Sequence, residues 1–332
     1  MKKILTILLV MMCLQTMAQT PPPIRRKNAD PELDAATKSI TEKMKEVLNT
    51  ANGFKDASPV KTKSYYGTVG YFLNTNGANG VIFYNATSKM SYFIGGGTRL
   101  KYASMTAEGG TLGLPASDIK NVRSGVDKNF GIYATFENGA ICTPPGKPAI
   151  AIVSPVYGKY NNMGGAASQL GWPTMEWSSF LGRPNEYFQT FQGGAFWGNK
   201  DIAYSMHGAI AKKFNKGIHG MPLEDEKGNS VMNLATQKFE KGTIVYGPKT
   251  GAWFVQGAIL QKWYDLGGGG VNNTTGLPTG EQAVSATITA QNFEKGLMLL
   301  VNGKVTFVPD DTDKNKSDNN KIRQTIRIPG KQ

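Results

Sequence analysis

Residues 170–176 read LGWPTME. Three other places in the 332-residue chain say nearly the same thing. Gly113-Leu114-Pro115 precedes Asp118, Gly171-Trp172-Pro173 precedes Glu176, Gly220-Met221-Pro222 precedes Asp225, and Gly276-Leu277-Pro278 precedes Glu281. Pro always stands two residues after Gly, and a carboxylate five after. Gly admits a positive backbone angle or a close approach, and Pro presets the turn, so the simplest reading is a backbone joint. The carboxylate has two readings. It can accept loop N–H groups, or it can meet a ligand.

Two further words keep step with the first. Phe136, Phe191, Phe239 and Phe293 are each followed by Glu or Gln, then by Gly139, Gly194, Gly242 and Gly296. IGGGTRLKY (94–102), IVSPVYGKY (152–160), MHGAIAKKF (206–214) and VQGAILQKW (255–263) each end in Lys and an aromatic. Three words in constant order, about fifty residues apart, mark an internal repeat. Each unit reads as strand, turn, strand, short helix and long loop. GTIVYGPKTGAWFVQG (242–257) is the plainest hairpin. GAILQKWYDLGG (257–268) follows as a short helix, with Ile259, Trp263 and Leu266 on one face and Gly267 as the stop. Hairpins start near Gly80, Gly139, Gly194, Gly242 and Gly296, but only four have a following helix.

Outward from the repeats the chain changes character. Asp30-Pro31 opens a helix over 31–52, with Asp30 as N-cap, Pro31 in the first turn, and Leu33, Ala36, Ile40, Met44 and Val47 or Leu48 as one stripe. Before it, 19–30 reads as a flexible lead-in. Residues 1–18 read as a signal peptide: Lys2 and Lys3, then an apolar run from Ile4 to Leu14, then Thr16 and Ala18 before a cut. Export follows, to the periplasm, the cell surface or beyond. No later stretch is apolar enough for a transmembrane segment. The basic tail, 311–332, has little apolar content and reads as disordered. With the leader gone Cys142 stands alone, so no internal disulfide forms; it reads as a small buried residue. The formal charge of +13 falls to +11 without Lys2 and Lys3. Its cations are scattered, which suits a solvated surface or an anionic envelope polymer, and export argues against nucleic acid.

The repeated side chains are the candidate ligand contacts. They are Lys101, Lys159, Lys213 and Lys262, and Asp118, Glu176, Asp225 and Glu281. The aromatic beside each Lys wedges its helix against the hairpin. The Lys itself then faces solvent, where folding gives no reason for it to recur. Trp177 and Trp197 are the exposed candidates for stacking on sugar rings, whereas Trp172 and Trp263 read as core.

These words resemble the LGFP repeat family. GGGGVNNTTGLPTGE (267–281) and FEKGTIVYGPKTGAWFVQGAILQKW (239–263) follow its pattern closely, and residues 81–160 loosely; IHGMP puts His219 where the family has Leu. The resemblance covers roughly 240 residues by motif order. It implies an exported bacterial protein that tethers to envelope polysaccharide, although no fused enzyme is present here. It also implies a fold: β-rich α+β, a closed pseudo-fivefold ring of about fifty-residue repeats over 31–310, each a β-hairpin plus a short helix and a loop. In that ring the helix 31–52 and the degraded turn at 57–59 complete the fifth unit, so that no sheet edge is left open.

Catalytic words are missing. The sequence holds no GxSxG, no HExxH, no phosphate-binding GxxxxGK and no calcium loop. His207 and His219 with one thiol make a poor metal site, and no cofactor is expected. The first reading is a non-enzymatic exported module that binds envelope or extracellular polysaccharide at several weak sites. The second is a periplasmic scaffold for a protein partner. The third is a glycan hydrolase with an acid pair near Glu176, or near Glu224 and Glu226.

Overall fold

The five glycines that mark hairpin starts each begin the third strand of a four-stranded antiparallel sheet. The computed structural model describes residues 30–48, 58–75, 80–180, 183–199, 201–229 and 233–326. The stretch read as a signal peptide, the lead-in up to residue 29, and residues 49–52 lie outside the described residues. The first sheet holds β1 (Val60–Lys63), β2 (Val69–Thr75), β3 (Gly80–Asn85) and β4 (Met90–Gly95). The second holds β5 (Lys120–Arg123), β6 (Phe130–Phe136), β7 (Gly139–Thr143) and β8 (Ile150–Val153). The third holds β9 (Ser178–Phe180), β10 (Arg183–Phe191), β11 (Gly194–Asn199) and β12 (Ala203–His207). The fourth holds β13 (Lys227–Asn229), β14 (Leu234–Phe239), β15 (Gly242–Gly247) and β16 (Gly251–Gln256). The fifth holds β17 (Ala283–Val284), β18 (Ile288–Phe293), β19 (Gly296–Val301) and β20 (Lys304–Pro309). Every sheet is a meander, its strands paired in chain order. The unit is therefore four strands and a helix rather than a hairpin and a helix.

Helix α1 (Pro31–Leu48) precedes the first sheet. Helices α2 (Gly96–Ser104), α3 (Val156–Asn162), α4 (Gly208–Lys213) with the single turn α5 (Lys216–His219), and α6 (Gly257–Asp265) follow the first four sheets. Helix α7 (Asp313–Thr325) follows the fifth. Successive strand residues point to opposite faces, and the core divides accordingly. Ile141 and Ala151 face back to Val81, Phe83 and Ile94 of the first sheet, while Cys142 and Ile152 face forward to Phe191 and Phe196 of the third. Ala195, Trp197 and Met206 meet Phe239, Ile244 and Phe254; Val245 and Val255 meet Phe293 and Met298. Each interface is wedged by the helix between its sheets, through Tyr102, Tyr160, Ile210, or Ile259 with Trp263.

The ends of the chain carry one helix each. Helix α1, expected to complete the fifth unit, lies against the first sheet, and no closure of the ring is seen among the described residues. The α1 stripe of Ala36, Ile40 and Met44 packs on Tyr71, Leu73, Ile82 and Tyr84, the outer face of the first sheet. Within the tail expected to be disordered, Asp313–Thr325 forms α7, and its Ile322 with the following Ile326 covers Ala290, Leu297 and Leu299 on the far face of the fifth sheet, while 327–332 lie outside the described residues. Arg323, buried, donates to Asn292 and Asp310, which fixes that helix in place. The hydrophobic clusters of the described residues thus join neighbours in series, with a helix over each outer face. A row of sheets capped in this way leaves neither outer apolar face to water, so closure into a ring is not needed to protect them.

Candidate functional site

The repeated words first build joints. Gly113, Gly171, Gly220 and Gly276 have φ of +71°, +64°, +77° and +72°, the left-handed region that favours glycine. A Cβ on Gly171 would sit 2.3 Å from Gln192 Oε1, and one on Gly113 2.2 Å from Glu137 Oε2. The residue after each repeated Phe explains that crowding. Glu137, Gln192, Glu240 and Glu294 accept the N–H of Leu114, Trp172, Met221 and Leu277 at 2.8, 2.9, 3.0 and 2.7 Å. Each Pro of the joint also forms a bridge with the repeated Phe. From behind, Tyr102 Oη donates to Gly113 O, Tyr160 Oη to Gly171 O and Trp263 Nε1 to Gly276 O. Burial pushes both tyrosine pKa values far above the ordinary range, so the hydroxyls stay protonated donors. Phe214 has no such donor and stacks on Phe239 beside His219 instead.

The repeated Lys and carboxylate meet each other. Lys101 pairs with Glu176 at 2.7 Å, Lys159 with Asp225 at 2.6 Å, and Lys213 with Glu281. Asp118 takes its lysine from α1, Lys43 at 2.9 Å. Each lysine therefore reaches across the next sheet to the loop that leads into the sheet after it. At two crossings the carboxylate also accepts an edge-strand N–H: Asp118 from Phe93 at 2.7 Å, and Asp225 from Ser205 at 2.8 Å. Burial raises the Asp225 pKa, but the hydrogen bonds from Lys159 and Ser205 outweigh it and hold the group below the usual carboxylate range. Lys159 Nζ lies 5.4 Å over the Tyr204 ring and Lys213 Nζ 5.1 Å over Trp253. The lysines are thus not free solvent contacts, with side chains 21%, 31% and 27% exposed for Lys101, Lys159 and Lys213. Lys262, half-buried, has no ion-pair partner among the described residues.

The tryptophans separate. Trp197 is 1% exposed, packed between Phe188 and Phe214 with Lys216 Nζ 4.9 Å over its ring. It belongs to the core, because β11 is a central strand. Trp177 is 36% exposed and lies edge-on to Tyr187, ring centroids 5.2 Å apart. Together they wall a cleft of about 170 Å³, completed by Tyr66, Asn138, Val156 and Gln189. Three units meet there: Tyr66 comes from the β1–β2 turn, Asn138 from the β6–β7 turn, and Trp177 and Tyr187 from the third unit. Asn138 Nδ2 donates to Tyr66 Oη, which donates to Thr111 O at 2.6 Å. Gln189 Nε2 is fixed by Ala151 O and Met175 O. The sequence pointed to Trp177 but not to Tyr66, Asn138 or Tyr187, which fall at positions the words do not repeat.

No curated protein matches the chain. Among solved structures, a domain described as the extracellular part of a hybrid two component system in B. thetaiotaomicron is similar at 10% identity and a TM-score of 0.14. That likeness covers 57% of this chain and 20% of the other. The family model of the LGFP repeat matches residues 220–270, from the glycine of the third joint to the glycines after α6, and the chain carries an LGFP repeat in that stretch.

Proposed function

We propose that the chain is an exported, non-enzymatic module that binds an envelope or extracellular polysaccharide. The observation that carries this reading is the cleft of Trp177, Tyr187 and Tyr66 with the amides of Asn138 and Gln189. Aromatic faces receive the apolar side of a sugar ring, and fixed amides sort its hydroxyls. The volume, about 170 Å³, lies below the ~300 Å³ at which pockets that enclose a small ligand begin. It suits one ring of a polymer running across the surface. The reading moves the main contact away from the four lysines, since three of them are engaged by Glu176, Asp225 and Glu281.

Retention of the full chain on immobilised cell-wall polysaccharides tests it. Trp177→Ala should weaken retention about three- to tenfold, the equivalent of ~0.5–1.5 kcal/mol for one aromatic contact. Moderate salt should change little, because the cleft's walls are uncharged. Retention by none of the polymers at low salt, or equal retention of the Trp177 variant, ends the reading.

A further inference from the structure

Among the described residues, one station of the repeat is without an occupant. At the internal stations the last strand of a sheet offers one residue whose N–H and C=O both face outward. These residues are Phe93, Ala151, Ser205 and Phe254, identified by their pairing with the third strand. The N–H is taken by the carboxylate of the following loop at Phe93 and Ser205. The C=O is taken by a buried glutamine of the next sheet: Gln189 on Ala151, Gln237 on Ser205, Gln291 on Phe254. The lysine of the preceding helix closes each station on the carboxylate.

In the fifth sheet the matching residue is Phe307, opposite Met298 as Phe93 is opposite Ile82. Strand β20 is an edge, with β19 its one neighbour. Helix α6 packs on β19 and β20, as α4 packs on β15 and β16, which puts Lys262 in the place of Lys213. The chain then turns into α7, which covers the apolar face of the sheet and brings no Gly-x-Pro loop to its edge. Lys262 and the edge of β20 therefore keep the receptor half of a contact whose other half is written four times in the same molecule.

We propose that this edge docks an extended acidic segment of a partner protein. An Asp or Glu of the segment pairs with Lys262 and accepts the Phe307 N–H, and a side-chain amide of the segment donates to Phe307 O. The internal stations specify that chemistry, and strand edges are built to accept it.

The probe is a synthetic peptide of residues 276–293, the chain's own occupant of the fourth station, which contains Glu281 and Gln291. Titrated into the full chain, it should bind with a Kd in the range of about 10 µM to 1 mM. The E281Q peptide should bind about tenfold more weakly, and so should the wild-type peptide to the Lys262→Met chain. Both chains should melt at the same temperature, so that lost binding is not lost fold. No binding at millimolar peptide, or equal affinity of the Lys262→Met chain, overturns the proposal. A monomer–dimer equilibrium in sedimentation that Lys262→Met abolishes also overturns it, by assigning the edge to a second copy. The polysaccharide reading does not share these outcomes, because its cleft is lined by residues of the first three units and includes neither Lys262 nor Phe307.

Discussion

At the scale of a residue, the joint glycines carry a penalty that can be measured. Gly220 has φ of +77° and Glu240 Cβ lies 2.7 Å from where its own Cβ would stand. Gly220→Ala should cost about 1–3 kcal/mol in urea unfolding, from strain and the clash together. Gly228→Ala, with no heavy atom within 4 Å, should change stability by less than about 1 kcal/mol. Equal effects would sink the joint. Asp30 supplies a second test. Hydrogen bonds from Lys61, then from Tyr71, hold its pKa at about 2, below the ordinary aspartate value of 3.8. A carboxylate lowered in the folded state contributes stability above its unfolded pKa and loses it as pH falls toward its folded one. The urea midpoint should therefore drop between about pH 4 and pH 2, and Asp30→Asn, still a good N-cap, should flatten that drop. Cys142 is fully buried and its thiol is pushed well above the ordinary range by burial. It should react with a thiol reagent only in denaturant.

At the scale of the element, the sequence showed some parts plainly. The third and fourth strands of each sheet are apolar runs broken by Gly, and the face of α6 is set by Ile259 and Trp263, both buried as the spacing requires. The first strands were not legible. KNVR and KGN are short, polar and exposed on most positions, and they pair because the second strand is already placed. Helix α7 was not legible either. DKNKSDNNKIRQT holds one apolar residue, and its order comes from Arg323 and Asn319 bonded to Asn292 and Asp310. The Lys–acid pairing was half legible. Both members recur at fixed places, but the partners lie 66 positions apart for Lys159 and 68 for Lys213, across a whole unit. Nothing local in a sequence links positions so distant. Removal of residues 313–326 should expose Leu297 and Ala290 and lower stability by about 2–3 kcal/mol, the burial of one or two apolar side chains. An unchanged urea midpoint would mean that α7 is only loosely applied.

At the scale of the molecule, the sheets follow one another with cores between neighbours, and the two end helices finish the row. In such a row stability is set by the units and the contacts between adjacent ones. Amide exchange should therefore be slowest in β7, β11 and β15, each central in an internal sheet, and fastest in the first and last units. Uniform protection along the chain would contradict a serial core.

The crossing lysines add a consequence for how such a chain changes length. Lys101, Lys159 and Lys213 stand at the same phase of the period, and so do Glu176, Asp225 and Glu281. Excising one full period from the interior brings a cation from upstream opposite an anion that formerly belonged to another, and every remaining pair is restored. Cutting out part of a period strands both. Duplication and loss in whole periods is thus the route by which a gene of this kind grows or shrinks without breaking its fold.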